Sequence, residues 1–160
     1  MPSVDSGSRS YGRAALLLAV VVALDQISKA IVRNNVAVGD ENSVFFGVQI
    51  VHVKNKGVAF GVLSGKPAVM IIVIAALAGL LIWFFLHSRR RYVWIPTGLL
   101  LGGAVGNIFD RIRDGAVTDF VKFPAWPAFN IADVAITFGV LSLLYVLESG
   151  DDHGAETERS

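Results

Sequence analysis

The chain has 160 residues, of which 54% are hydrophobic and 17% charged, with a net charge of +1 and a mean hydropathy of +0.60. Soluble domains carry about 25% charged residues, so this chain lacks the charge for a water-facing surface. Without a basic stripe or a net positive field it is not read as a nucleic-acid binder. The absence of cysteine excludes disulfides, cysteine nucleophiles, cysteine-based zinc sites and any lipid attached through cysteine.

Four apolar stretches predict four membrane-spanning helices and an all-α membrane protein. The first, residues 14–32, opens with an uncharged run and then meets Asp25, Gln26, Ser28 and Lys29. Arg9 and Arg13 before it, and a small residue at Ala23, also suit a cleaved signal peptide. The helical pattern continues through Ile31 and Val32, however, which favours an uncleaved span. Residues 44–53 are β-branched or aromatic at most positions, and Asn55-Lys56-Gly57 reads as a turn. A small extracytoplasmic β element is therefore expected over about residues 44–62.

Residues 67–86 form an uncharged run of the length that a bilayer core of roughly 30 Å demands. Residues 92–109 are also uncharged, and Gly102 and Gly106 stand at the spacing that lets another helix approach closely. The fourth span, residues 129–147, contains the single charge Asp133. A single domain over 14–147 follows, with flexible cytoplasmic tails at 1–13 and 148–160. Arginines at 9, 13 and 89–91 lie close to span ends and place both termini in the cytoplasm.

Carboxylates in or beside spans carry the chemistry, because each costs roughly 2.5–3.5 kcal/mol to insert. Asp25 and Lys29 stand at i, i+4 and read first as an ion pair. Asp110 and Arg113, at i, i+3, read the same way. Asp133 lies three residues after Asn130, where an acid complements a helix N-terminus. Asp119, between Thr118 and Phe120 in an apolar stretch, has no helical partner.

Asp119 and Asp133 are more informative as a pair. Two carboxyls in proximity cannot both ionise easily, so one keeps a proton while the other takes one from water. That is the chemistry of an aspartic protease. There is no HExxH sequence, and His52, His87 and His153 are scattered, which disfavours a zinc protease. Adjacent Ser28 and Lys29 cannot face each other on a helix, so a Ser-Lys dyad is disfavoured too. A small proton- or ion-coupled transporter is the competing reading of intramembrane acids, but it predicts acids near the midplane rather than at one edge.

Five segments, in order, resemble the signal peptidase II family of bacterial lipoprotein signal peptidases. They are Asp25-Gln26-Ile27-Ser28-Lys29, Asn55-Lys56-Gly57-Val58-Ala59-Phe60-Gly61, the run from Gly102 to Arg111, Val117-Thr118-Asp119-Phe120 and Phe129-Asn130-Ile131-Ala132-Asp133. The resemblance implies a four-span intramembrane aspartic protease in the bacterial cytoplasmic membrane. Its active site would lie on the extracytoplasmic side and need neither cofactor nor metal. It would act, as a monomer among membrane lipids, on lipid-modified prolipoproteins, cutting before the cysteine that carries diacylglycerol. Asp119 and Asp133 carry over as the catalytic pair, and Asp25, Asn55, Asn107, Asp110, Arg111 and Asn130 as supporting residues. Val58, Phe109 and Val134 depart mildly from the family pattern and bear only on local packing.

Overall fold

In the computed structural model, which describes residues 5–56, 67–87 and 92–157, the chain order is helix, hairpin, two helices, strand, helix. The elements are α1 (Asp5–Asn35), β1 (Glu41–Phe45), β2 (Val48–Asn55), α2 (Pro67–His87), α3 (Trp94–Asp114), β3 (Val117–Lys122) and α4 (Ile131–Thr157).

Helix α3 is the centre of the bundle, and its glycines explain why. A Cβ on Gly98 would lie 2.8 Å from the Cβ of Leu17, one on Gly102 2.8 Å from the Cβ of Val21, and one on Gly106 2.6 Å from Asp25 Oδ2. These contacts advance in the same direction along both helices, so α1 and α3 run parallel, with their backbones in close approach along a small-residue seam. On another face, a Cβ on Gly103 would meet the carbonyl oxygen of Ala132 at 2.5 Å, and one on Gly139 would meet Leu100 Cγ at 2.7 Å. Those contacts run in opposite directions and make α4 antiparallel to α3. At the far end, Tyr11 of α1 meets Phe84 of α2 edge to face, with centroids 5.3 Å apart.

The distribution of polarity is inverted relative to a soluble bundle. Asp25, Lys29, Asn107, Asp110 and Asn130 are buried, whereas Leu16, Leu24, Ile27 and Ile31 of α1 and Phe138, Leu141 and Leu144 of α4 are exposed. An apolar exterior of that extent needs a non-aqueous surrounding. By length and hydropathy, two stretches among the described residues suffice to cross a membrane, Ser8–Asn35 and Ile131–Ser149.

The helices overrun the predicted spans: α1 extends beyond residues 14–32, α3 reaches Asp114 rather than 109, and α4 starts at Ile131 rather than 129. The tails read as flexible are in part helical, from Asp5 at one end and to Thr157 at the other. An established helix adds residues at little cost once nucleated, even where composition supplies no apolar face.

The β element also differs in extent. Strands β1 and β2 form a hairpin closed by Phe46 and Gly47, at φ of 44° and 80°, the backbone of a tight two-residue hairpin turn. The expected turn at residues 55–57 is not the hairpin: Asn55 closes β2, and residues 57–62 lie outside the described residues. A third strand, β3, comes from the α3–α4 connection and pairs antiparallel with β2, giving a sheet of order β1-β2-β3.

Candidate active site

Strand β3 is what holds Asp119. Antiparallel pairing sets Asp119 opposite Val53 and Val117 opposite Asn55. Because side chains alternate along a strand, Asn55 shares a face with Asp119 and donates from its Nδ2 to Asp119 Oδ2 at 3.0 Å. Asp119 is only 2% exposed.

Asp133 is held by the start of α4. Its backbone N–H donates to Asn130 Oδ1 at 3.0 Å, and the Asn130 backbone N–H donates back to Asp133 Oδ2 at 3.2 Å. This reciprocal pair is a capping box, with Asn130 as the cap and Asp133 at the third helical position. The helix-terminus reading of Asp133 and its candidacy for chemistry are therefore compatible.

Two asparagines join the carboxylates. Asn130 Nδ2 donates to Asp119 Oδ1 at 2.7 Å and to Asn107 Oδ1 at 3.2 Å. Asn107 Nδ2 donates in turn to Asp133 Oδ1 at 2.9 Å. Asn130 thus touches Asp119 through its side chain and Asp133 through its backbone. Among the described residues neither carboxylate forms an ion pair. Burial pushes the Asp119 carboxyl up to about 6; hydrogen bonds from Asn55 and Asn130 oppose the shift, and the negative charge of Asp133 adds to it.

A second cluster adjoins this pair through Asn107. The Lys29 ammonium, fully buried, sits 2.7 Å from Asp25 Oδ2 and 3.0 Å from Asp110 Oδ2 and donates to Asn107 Oδ1 at 3.0 Å. Arg33 reaches Asp110 Oδ1 at 3.7 Å. The backbone N–H of Thr118 donates to Asp110 Oδ2 at 3.2 Å, and that of Ala132 to Asp25 Oδ1 at 2.9 Å. Gln26 Nε2 adds bonds to Asp110 Oδ1 and to the Gly106 carbonyl at 3.0 and 3.2 Å. This cluster ties α1 and α3 to the first turn of α4 and to the start of β3, the two elements that present the aspartates.

The expected Asp25–Lys29 pair is present. The expected Asp110–Arg113 pair is not: Arg113 pairs with its neighbour Asp114, and Asp110 turns inward to Lys29 and Arg33. The reason is that Asp110 is on the buried face of α3 while Arg113 is exposed. Asn55, Asn107 and Asn130 contact the aspartates directly, and Asp25 and Asp110 act one layer behind. Arg111, half-buried, reaches the Asn107 carbonyl at 3.3 Å from its Nη1 and stays at the rim. Sequence reasoning missed the central place of Lys29 and the parts played by Arg33, Gln26 and Thr118. A signal existed, since Asp25, Lys29 and Arg33 recur every fourth residue along one face of α1.

An amide-bridged carboxylate pair, one member buried and raised towards neutrality and the other half-buried, is equipped to divide a proton and so activate water. The profile of the family described as Signal peptidase (SPase) II matches residues 17–148. A lipoprotein signal peptidase of Moorella thermoacetica is 40% identical over 137 residues, covering 82% of this chain and 90% of its own length. Another, of Halothermothrix orenii, is 34% identical over 134 residues, covering 82% of this chain and 92% of its own length. Among solved structures, a bacterial membrane enzyme matches with a TM-score of 0.80 and 33% identity, covering 89% of this chain and 91% of its own. By sequence and by fold, the chain belongs to the signal peptidase II family.

Proposed function

We propose that Asp119 and Asp133 are the catalytic pair of this protease. The enzyme is a lipoprotein signal peptidase: it removes the signal peptide from diacylglyceryl-modified prolipoproteins, cutting before the lipidated cysteine. The observation that carries the assignment of the pair is the double role of Asn130. It holds one oxygen of Asp119 through its amide and one of Asp133 through its backbone, while no cation neutralises either carboxylate among the described residues.

The division of labour follows from the surroundings. Asp133 lies in the first turn of α4, where the helix dipole favours negative charge by roughly 0.3–1 kcal/mol and the Asn130 backbone N–H donates to its carboxylate. Asp119 is buried on β3 and holds its proton more tightly. Asp133 is then the general base that takes a proton from the attacking water. Asp119 donates a hydrogen bond to the scissile carbonyl as it becomes an oxyanion and passes its proton to the departing amine. Replacing either aspartate by Asn, which cannot exchange a proton at neutral pH, tests the assignment in a cleavage assay with purified protein and lipidated prolipoprotein. Turnover near the wild-type rate in either variant would overturn it.

We infer further that the four helices all span the bilayer as one domain over 14–147, with both termini cytoplasmic and the sheet outside. The even number of helices, the shared end of the bundle occupied by β3, Asp119 and Asp133, and Arg9 and Arg13 at the opposite end of α1 support this orientation. Because the chain has no cysteine, single cysteines at Lys122 and Glu148 report topology directly. An impermeant maleimide applied to intact cells is expected to label the first and not the second; the reverse pattern would invert the orientation.

A further inference from the structure

Strand β2 carries one residue more than its partner can match. Ile50 stands opposite Val121 and Val53 opposite Asp119, so Val51 and His52 together face Phe120, which is a β-bulge. The bulge breaks the alternation of the strand: Val51 and His52 are consecutive and both buried, at 0% and 4% exposure. It also decides which residue meets Asp119. Continued from Ile50 without the extra residue, the register would set His52 opposite Asp119 and Lys54 opposite Val117, and Asn55 would turn to the other face. A lysine would then stand where the amide of Asn55 now meets the carboxylate.

His52 is the residue that ties the bulge down. Its Nδ1 lies 2.8 Å from the Val36 carbonyl, and a carbonyl only accepts, so Nδ1 carries the hydrogen. That carbonyl follows the last turn of α1, where helix C=O groups lack intrahelical partners. The His52 carbonyl accepts from the Gly39 N–H at 3.0 Å, so ring and backbone of the bulged residue both hold the α1–β1 connection. Nε2 is buried without a partner among the described residues, which leaves the bond to Val36 as the ring's polar link there. The same end of α1 also holds β3, through Arg33 Nη1 and Thr118 Oγ1 at 3.4 Å. We propose that His52 is a positioning residue of the active site: its bond to Val36 fixes the bulge in β2, and the bulge places Asn55, rather than Lys54, on Asp119. The proposal rests on the reading of Asp119 as catalytic.

The test reads the pH profile of kcat/KM for a lipidated prolipoprotein, with unfolding midpoints measured alongside. Burial raises the Asp119 carboxyl to about 6 and the Asn55 bond opposes that rise, so loss of the bond moves the declining limb to higher pH. Asn55→Ala is the reference for that shift. His52→Asn keeps an N–H donor at the δ position and is expected to leave the limb where wild type has it. His52→Gln carries its donor one bond further out. It is expected to move the limb in the direction of Asn55→Ala and to lower the maximum by up to about 10²-fold, the scale of a misplacement of about 1 Å. Both variants lack the imidazole, so a difference between them does not come from titration of the ring. The charged groups that bear on Asp119, Asp133 of α4 and Lys29 of α1, are unchanged in both. Adding Asn55→Ala to His52→Gln is expected to move the limb no further than Asn55→Ala alone, since residues acting through one contact are not additive. His52→Ala, which removes the donor without adding an atom, replaces His52→Gln if that variant does not fold. A limb at the wild-type position without the donor, the same shift with His52→Asn as with His52→Gln, or an additive shift in the double variant would overturn the proposal. Failure of the catalytic reading looks different, because the limb would then stay in place in Asn55→Ala itself and Asp119→Asn would retain cleavage.

Discussion

The molecule contains two adjoining clusters of carboxylates, linked through Asn107, and they are solved in opposite ways. Asp25 and Asp110 share the Lys29 ammonium, with Arg33 behind it, so charge is answered by charge. Asp119 and Asp133 are answered by the amides of Asn55, Asn107 and Asn130. An amide can orient a carboxylate but cannot neutralise it, whereas a neighbouring ammonium answers its charge directly. The first arrangement builds structure. The second leaves a proton free to be shared, which hydrolysis requires. Asn107 connects the two, accepting from Lys29 and donating to Asp133.

The largest expected effect separates the clusters by their readouts. Asp119→Asn and Asp133→Asn are expected to reduce cleavage by at least the roughly 10²–10⁴-fold assigned to general acid–base groups, while thermal unfolding in detergent does not collapse, Asp119→Asn being at or above wild type near neutral pH. Residual activity within tenfold of wild type, or a matching collapse in unfolding temperature, would erase the distinction.

Next in size is Lys29→Met. It leaves Asp25 and Asp110 buried without their shared cation, and breaking a buried pair in this way costs about 3–5 kcal/mol. The expected result is a large fall in unfolding midpoint, with activity lost because the fold is lost. A variant as stable as wild type would show that the deeper cluster is not structural.

Gly106→Ala probes the seam that brings the clusters together. Its Cβ would lie 2.6 Å from Asp25 Oδ2, whereas a Cβ on Gly79 of α2 would meet nothing within 4 Å. Overpacking of this kind costs about 1–3 kcal/mol. The control Gly79→Ala is expected to be neutral or slightly stabilising, since glycine weakens a helix interior by roughly 0.5–1 kcal/mol. Equal midpoints for the two variants would remove the close approach as an explanation for the seam.

What could be read from the chain follows how local each signal is. The helices declare themselves through long uncharged runs, and the capping box of α4 lies within four residues, so Asn130 and Asp133 are visible together. The Asp25–Lys29 pair is visible for the same reason. Strand β3 is not, because Val117–Lys122 is six residues whose partner β2 is over sixty residues away, and neither segment specifies that pairing alone. Asp110 misled for a related reason. Its nearest cation in sequence is Arg113, but which side of α3 faces inward is decided by packing against α1, and that places Lys29 at its carboxylate. Asp119 itself stood out because a carboxylate among Val and Phe has no bland solvation.

The smallest expected effect lies in the pH profile, and it is the most direct reading of the Asp119 carboxyl. Its carboxyl is raised to about 6 by burial, above the unperturbed value of about 3.9. Between those values the folded state binds more protons than the unfolded state, so the sign of the linkage is negative. The stability associated with this group is fully present below about pH 4 and is lost as pH rises through about 6. Asp119→Asn removes that slope. Under the proposed division of roles the competent form has Asp119 protonated, and its population falls roughly fivefold between pH 6 and pH 7 for a group titrating near 6. The kcat/KM for a lipidated substrate is therefore expected to decline across that interval. The hydrogen bond from Asn55 opposes the upward shift, so Asn55→Ala is expected to move the declining limb to higher pH while lowering its maximum through looser placement of the carboxyl. A limb that moves to lower pH, or a rate that climbs through pH 6, would mean that Asp119 works ionised, and the acid and base roles of the two aspartates would have to be exchanged.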